Sequence, residues 1–162
     1  MKNYDFISHW HHYMEGMEQS PKEYYENLKE LISENKLPKV NMKMFTLPAY
    51  GVFSFGRMYL KVTYAGIVFL ICCAPYGKGM FVSYWHYNSV SWFRRFFRSI
   101  PIIGVGLENL FWSETLFKLD LKHMFQSVLH SLILKTLDKE VEDKGLRALS
   151  EYERRYKVYD LK

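Results

Sequence analysis

The apolar residues of this chain change their spacing twice, and these changes constrain its fold more than any other feature. Across residues 21–38 they recur every three or four positions, which predicts an amphipathic helix. Across residues 39–87 they alternate or run continuously, which is typical of paired strands. Across residues 115–144 the helical spacing returns. This order predicts an α+β fold with an N-terminal helix, a four-stranded antiparallel meander and a long C-terminal helix.

The first predicted helix has residues that favour helix formation at its start and a residue that ends it. Ser20 suits the N-cap, Pro21 suits the first helical position, and Glu23 can complete a capping box. Pro38 is expected to end the helix. Residues 1–19, upstream of it, are polar and aromatic, and we expect a short first helix or an ordered arm there.

The meander is predicted from four short segments, which are residues 40–44, 57–64, 67–73 and 80–87. The third segment is apolar throughout, as in a central strand that is covered on both faces. Ala65-Gly66 and residues 75–79 have the composition of the turns between antiparallel strands.

The C-terminal region has two further helix signals. Lys144 and Gly145 predict the end of the long helix, because a cation suits the last turn and glycine adopts the left-handed cap. Ser150 and Glu153 form a second capping box, which predicts a short terminal helix. The sequence contains no internal repeat, low-complexity segment or linker, so residues 1–162 are predicted to form one domain.

Positive charge is concentrated in the middle of the chain. Residues 38–112 contain eight basic residues and one acidic residue, Glu108, which gives a net charge of +7. Residues 1–37 contain four basic and seven acidic residues, which gives −3. A basic region of this kind attracts nucleic acid, phospholipid or an acidic partner. The alternative is a basic sheet that the acidic N-terminal helix neutralises across the fold.

The strongest candidate binding surface is a segment that interleaves rings with arginines. Seven consecutive residues form it: Trp92, Phe93, Arg94, Arg95, Phe96, Phe97 and Arg98. Such a segment can anchor at a membrane interface, where rings enter the headgroup boundary and guanidinium groups hold phosphate. Tryptophan, phenylalanine and arginine are also common hot-spot residues of protein interfaces. We therefore expect a non-enzymatic interaction module that docks on a partner protein or on an anionic membrane surface.

Two other interpretations of this segment stay open. Its rings can complete the core beneath the sheet while its arginines face water. Aromatic residues between basic residues can also stack on bases, but the sequence contains no recognised nucleic-acid-binding motif, so nucleic acid is the less favoured partner.

The competing hypothesis is a cysteine-dependent acyl- or thioester-transfer enzyme. Cys72 and Cys73 are adjacent on a predicted strand, so they point to opposite faces and only one can line a given cleft. On the long helix, Asp120, His123 and His130 share one side, where the carboxylate could orient an imidazole that activates a thiol. The alternative is a pair of buried structural cysteines and a polar, solvent-facing strip of helix.

The predicted order of elements is similar to that of ubiquitin-conjugating-type folds. That resemblance implies a transfer enzyme whose nucleophilic cysteine follows the fourth strand. This chain departs from the pattern, because it has no cysteine after Cys73.

No cofactor or metal site is predicted. His9 and His11 could be joined by His86, but these residues do not have the spacing of known zinc ligands. The longest uncharged run, residues 62–77, is too short to cross a bilayer as a helix. Adjacent unpaired cysteines fit a reducing compartment, so we expect a cytoplasmic protein with peripheral membrane contact left open.

Overall fold

A computed structural model describes residues 5–48, 56–88 and 116–158 of the chain. In these ranges it has six strands: β1 (Asp5–Glu15), β2 (Asn41–Pro48), β3 (Gly56–Tyr64), β4 (Ile67–Tyr76), β5 (Gly79–Asn88) and β6 (Lys157–Val158). It also has two helices, α1 (Pro21–Glu34) and α2 (Leu116–Asp143). The strands form one antiparallel sheet in the order β2-β3-β4-β5-β1-β6. The α+β class and the four-stranded meander, β2 to β5, are confirmed.

The N-terminal region differs from the expectation of a short helix or an arm. Residues 5–15 form strand β1, which pairs with β5 from Asp5 to Glu15 and makes the sheet larger than the meander. The side chains alternate as a strand requires, since Trp10 and Met14 are buried in the core while Tyr13 is exposed on the other face. The histidines between them hid this period, because they read as polar positions in the sequence.

The core lies between one face of the sheet and both described helices. Alternate residues of the long strands join apolar side chains of α1 and α2 in a single cluster. The largest fully buried members include Trp10, Tyr24, Tyr25, Tyr84 and Phe69. We call the side of the sheet that packs on the helices the helix face, and we call the opposite side the second face.

The predicted turns form where the sequence places them. In the β3–β4 hairpin, Ala65 and Gly66 adopt φ values of 46° and 82°, the left-handed pair that a two-residue hairpin turn requires. Helix α2 ends at Asp143, and Gly145 follows at φ 62°. The amide of Leu146 then donates to Val141 O at 2.9 Å, which closes the helix as predicted.

The predicted short terminal helix is a single turn instead. The Ser150–Glu153 capping box does form, with the Glu153 carboxylate accepting from the Ser150 amide at 2.7 Å. The helix does not continue, because side chains of β1 and α2 bind the next carbonyls. Trp10 Nε1 donates to Glu153 O at 2.7 Å, and His130 Nε2 donates to Arg154 O at 2.8 Å. The chain then extends into β6.

A tyrosine hydroxyl joins β3 and β4 where their backbone pairing ends. The ladder between the two strands stops at Tyr59 and Cys72. Beyond it, the Tyr25 hydroxyl accepts from the Cys73 amide at 2.7 Å and donates to Met58 O at 2.7 Å. Tyr25 therefore fixes α1 to the sheet and satisfies two backbone groups at a position where the strands separate.

Replacing this hydroxyl should destabilise the fold more than replacing its neighbour. Tyr25→Phe leaves the Cys73 amide and the Met58 carbonyl without their partner, and we expect it to lower the free energy of unfolding by about 1–3 kcal/mol. Tyr24→Phe is the matched control, because the buried Tyr24 hydroxyl has no hydrogen-bond partner among the described residues. That change should be neutral or stabilising. Urea denaturation of both variants measures the difference, and an equal effect of the two would contradict this role of Tyr25.

Stability should also depend on pH through a buried histidine. His86 is fully buried, stacks on Phe69 and lies 3.2 Å from the Ser8 hydroxyl through Nδ1. Burial lowers the pKa of His86 from 6.5 to about 3.

Below pH 6.5 the unfolded chain therefore binds a proton that the folded protein does not accept, and the free energy of unfolding falls as the pH falls. Urea midpoints at a pH near 7.5 and a pH near 5.5 test this, since carboxylates titrate mainly below that window. The midpoint should be lower at the acidic pH, and His9, His12 and His130 contribute in the same direction because burial lowers their pKa values as well. An unchanged midpoint would contradict this role of His86.

Candidate functional site

The second face of the sheet has a row of cations and rings along β2 and β3. Leu60 and Val62 are fully buried on the helix face, so the residues between and beside them point to the second face. With their partners on β2 they form a surface that we call the basic ladder: Lys43, Phe45, Leu47, Arg57, Tyr59 and Lys61.

The register of β2 and β3 places like charges opposite each other. Lys43 pairs directly with Lys61, and Leu47 pairs with Arg57. Between them Phe45 stacks on Tyr59, with 6.0 Å between ring centroids. Two cations in direct cross-strand register destabilise a sheet. Neither lysine forms an ion pair with a described residue, so this repulsion is not compensated within the described chain.

The acidic helix does not neutralise this ladder. Helix α1 packs on the helix face, where Tyr25 reaches Cys73, and the basic ladder lies on the second face. Residues 38–48 and 56–88 contain five basic residues and no acidic residue. The positive charge in the described part of the basic region is therefore not balanced by acidic residues along the same strands.

A second unusual surface lies at the start of α2. Leu116 and Phe117 are 81% and 75% exposed, and Met124 is also exposed about two turns later. Beside them an apolar groove of about 110 Å³ runs between α2, the end of β3 and the segment after α1. Phe125 and Tyr64 line this groove, and their rings lie 5.3 Å apart. We call this the apolar end, and large apolar side chains exposed together in this way usually mark a contact surface.

The predicted docking segment joins the domain close to the apolar end. Strand β5 ends at Asn88 and α2 begins at Leu116, so residues 89–115 connect these two points. Residues 92–98, the interleaved rings and arginines, lie outside the described residues. Their role stays a prediction.

The two cysteines lie on opposite faces of β4, as predicted, and both are buried. Cys73 is part of the core cluster, and its sulfur lies 3.0 Å from the Met80 sulfur. Cys72 lies on the second face, where it pairs with Tyr59 across the strands. Burial raises the pKa of both thiols above the ordinary value, so they are protonated at neutral pH.

The helix residues predicted as acid–base partners do not reach these thiols. Asp120 and His123 are exposed on the first half of α2. His130 is half-buried and both of its ring nitrogens are occupied: Nδ1 lies 3.2 Å from the Tyr84 hydroxyl, and Nε2 donates to Arg154 O. The structure therefore brings His130 to the C-terminal segment rather than to a cysteine.

The three histidines considered for a metal site lie on opposite faces of the sheet. His9 and His11 stack on each other on the second face, with 5.0 Å between ring centroids, whereas His86 is buried under the helices. In residues 5–48, 56–88 and 116–158, no group of three or more histidine, cysteine, aspartate or glutamate side chains could hold a metal ion. Neither of the described helices is long and apolar enough to cross a membrane.

Comparison with known proteins adds no family to this picture. No protein-family model, no curated protein and no solved structure matches the chain. The function is therefore inferred from the contacts and charges of the chain itself.

The basic ladder was only partly visible in the sequence. The alternation around Met42 and Met44 predicts that Lys43 points away from the core, and the same holds for Lys61 beside Leu60. The sequence gives no register between the two strands, so it could not show that the lysines face each other. The alternation of residues 5–15 could have predicted a strand, and with it the side of the sheet on which each of its histidines lies, but this alternation was missed.

The thiols should be unreactive in the folded protein. Because both are buried and protonated, we expect neither cysteine to react with Ellman's reagent within minutes at neutral pH, and both to react in urea. The single variants Cys72→Ser and Cys73→Ser show which cysteine is responsible for any reaction that is observed. Rapid labelling of one cysteine in the native state would instead support the transfer-enzyme hypothesis.

Proposed function

We propose that this protein is a non-enzymatic interaction module that docks peripherally on an anionic membrane surface through its basic aromatic side. The observation that carries the proposal is the direct pairing of Lys43 with Lys61 on the second face, with no acidic residue along the described parts of residues 38–88. A repulsive pair that weakens the sheet becomes favourable when an anionic surface lies against it.

The basic ladder has the chemistry that a lipid headgroup layer needs. Lysine and arginine side chains can carry their charges to the phosphates while their methylene stems cover apolar surface. Phe45 and Tyr59 lie between the two cationic ends of the ladder, and Leu47 is exposed beside Arg57. Each basic residue close to an anionic membrane surface contributes about 1 kcal/mol.

The exposed apolar residues favour a membrane over nucleic acid. Cations and rings alone fit either partner. Leu116, Phe117 and Met124, however, are aliphatic or aromatic side chains of the apolar end that gain little from a phosphate backbone. They are stabilised by entering an apolar phase, as the acyl region of a bilayer provides. Helix α2 carries them on the helix-face side of the sheet, but their groove reaches Tyr64, which follows Lys61 of the basic ladder by three residues at the same end of β3. A membrane would therefore contact both surfaces at this end of the sheet.

The predicted anchor at residues 92–98 adds to the same proposal. It contains three arginines and four aromatic rings, and it belongs to the connection between β5 and α2. Its rings would enter the interface next to the apolar end, and its arginines would hold headgroup phosphates.

The cysteine-dependent transfer enzyme is the competing proposal, and the geometry favours it less. A nucleophilic thiol needs access, a lowered pKa and a nearby base. Cys72 and Cys73 are buried with raised pKa values, and both ring nitrogens of His130 are already hydrogen-bonded.

Removing the two facing lysines should separate membrane binding from stability. In co-sedimentation with phosphatidylcholine vesicles that contain phosphatidylglycerol, Lys43→Gln with Lys61→Gln should reduce partitioning about fivefold per lysine. The same variant should gain about 0.2–1 kcal/mol in free energy of unfolding, because the like-charge repulsion is removed. A residue pair with a purely structural role would not lose binding while gaining stability.

Matched variants control for net charge and for exposed rings. Lys22→Gln with Lys135→Gln changes the net charge equally on exposed helix positions and should leave partitioning much less affected. Phe117→Ser should reduce partitioning about tenfold, and Tyr152→Ser, at another exposed ring, should not. Arg94→Glu, Arg95→Glu and Arg98→Glu together test the predicted anchor.

Three outcomes would contradict the membrane proposal. One is equal sedimentation with vesicles of phosphatidylcholine alone, and another is unchanged partitioning of the ladder variant. The third is a wild-type protein that does not sediment with vesicles. It would bind a protein partner instead, or single-stranded nucleic acid with a steep salt dependence.

A further inference from the structure

A groove at the opposite edge of the sheet has the composition of a small-molecule site. It lies between β1 and the C-terminal segment and has a volume of about 330 Å³. Sites for small ligands begin at roughly 300 Å³. The residues that matter for its chemistry are His9, His11, Tyr152, Arg155, Tyr156 and Lys157. None of them lines the apolar groove or belongs to the basic ladder.

The walls of this groove are held in place by hydrogen bonds. Trp10 Nε1 donates to Glu153 O at 2.7 Å, and His130 Nε2 donates to Arg154 O at 2.8 Å. Arg154 also forms a two-point ion pair with Asp138 of α2, at 2.6 and 3.0 Å. The C-terminal segment is thus attached to β1 and α2 on both sides of the groove, and a preformed groove loses less entropy when a ligand binds.

The groove has positive charge that no described carboxylate neutralises. Its one acidic residue, Glu153, is occupied: Arg147 binds both carboxylate oxygens at 2.6 and 3.0 Å, and Ser150 donates to one of them. Arg155 and Lys157 are exposed and form no ion pair with a described residue. Burial, His11 and then Lys157 lower the pKa of His9 to about 4, which agrees with a positive potential along this wall.

The same groove has aromatic rings on both sides. Tyr152 is 83% exposed at its rim, Tyr156 lines it from the C-terminal segment, and His9 and His11 line it from β1, whereas Trp10 offers no free ring face because it is buried in the core. Tyr156 packs edge-on against His130, with 5.0 Å between ring centroids, which fixes its ring. Rings of this kind offer stacking surfaces to a planar aromatic group.

We infer that this groove binds a small anionic ligand with a planar aromatic ring, of the chemical class of nucleoside monophosphates. The base would stack against the aromatic walls, and the phosphate would bind Arg155 and Lys157 at the open side. A cationic ligand fits less well, because the one carboxylate among the described residues of the groove is already bound by Arg147.

Calorimetric titration of the 162-residue chain with AMP tests this inference. We expect saturable binding, and Arg155→Gln should weaken it about tenfold or more because a charge-assisted contact to the phosphate is lost. Tyr152→Ala should weaken it at least about fivefold through the loss of stacking. Both residues are exposed, so the variants are expected to fold, which circular dichroism verifies.

Exposed residues elsewhere provide the matched controls. Lys22→Gln removes one cation from α1, and Tyr76→Ala removes a 69% exposed ring from the end of β4. Both should bind AMP like the wild type. Adenosine and ribose 5-phosphate each lack one half of the ligand, and each should bind at least about tenfold more weakly than AMP.

The inference is overturned if AMP gives no saturable binding, or if Arg155→Gln and Lys22→Gln behave alike. Inorganic phosphate that binds as tightly as AMP would show a simple anion site without base recognition. Binding of an oligonucleotide but not of AMP would assign the groove to a polymer. Membrane partitioning of Arg155→Gln should be close to that of Lys22→Gln, so this test and the membrane test can fail independently.

Discussion

The placement of both described helices on one face of the sheet is the constraint on which the rest of this structure depends. It commits alternate residues of every long strand to the core, where Trp10, Phe69 and Tyr84 are nearly or fully buried. Tyr25 then fixes α1 at the point where β3 and β4 separate, by bonding the Cys73 amide and the Met58 carbonyl. The remaining residues of the strands, whether charged or not, point to the second face.

This division explains why the basic residues gather where they do. A core cannot hold unpaired cations, so Lys43, Arg57 and Lys61 occur only at second-face positions of β2 and β3. The acidic helix α1 lies across the sheet from them and does not pair with them. In the C-terminal segment, by contrast, charged residues form ion pairs, since Glu153 is bound by Arg147 and Arg154 by Asp138. The Arg154–Asp138 pair holds that segment on α2, whereas Lys43 and Lys61 form no ion pair with a described residue.

Most of the fold could be predicted from the sequence, and the failures have local causes. The meander, α1 and the end of α2 at Gly145 follow from period, from Pro21 in the first turn and from the glycine cap, which are local properties. The predicted capping box at the start of α1 was wrong, because the Ser20 side chain makes no capping hydrogen bond in the described structure. Strand β1 was missed because its histidines fill both polar and half-buried positions. The terminal helix was wrong because Trp10 and His130, distant in sequence, bind the carbonyls at Glu153 and Arg154. The docking segment at residues 92–98 is still supported by sequence alone.

The sequence by itself determined which residues alternate, where helices start and stop, and that the middle of the chain is basic, because each of these depends on near neighbours along the chain. Only the tertiary structure decided that Lys43 faces Lys61, that Cys72 and Cys73 are both sealed, and that β1 and the C-terminal segment enclose a groove. Strand register and burial arise from contacts between residues far apart in sequence. No local pattern of residues records those contacts.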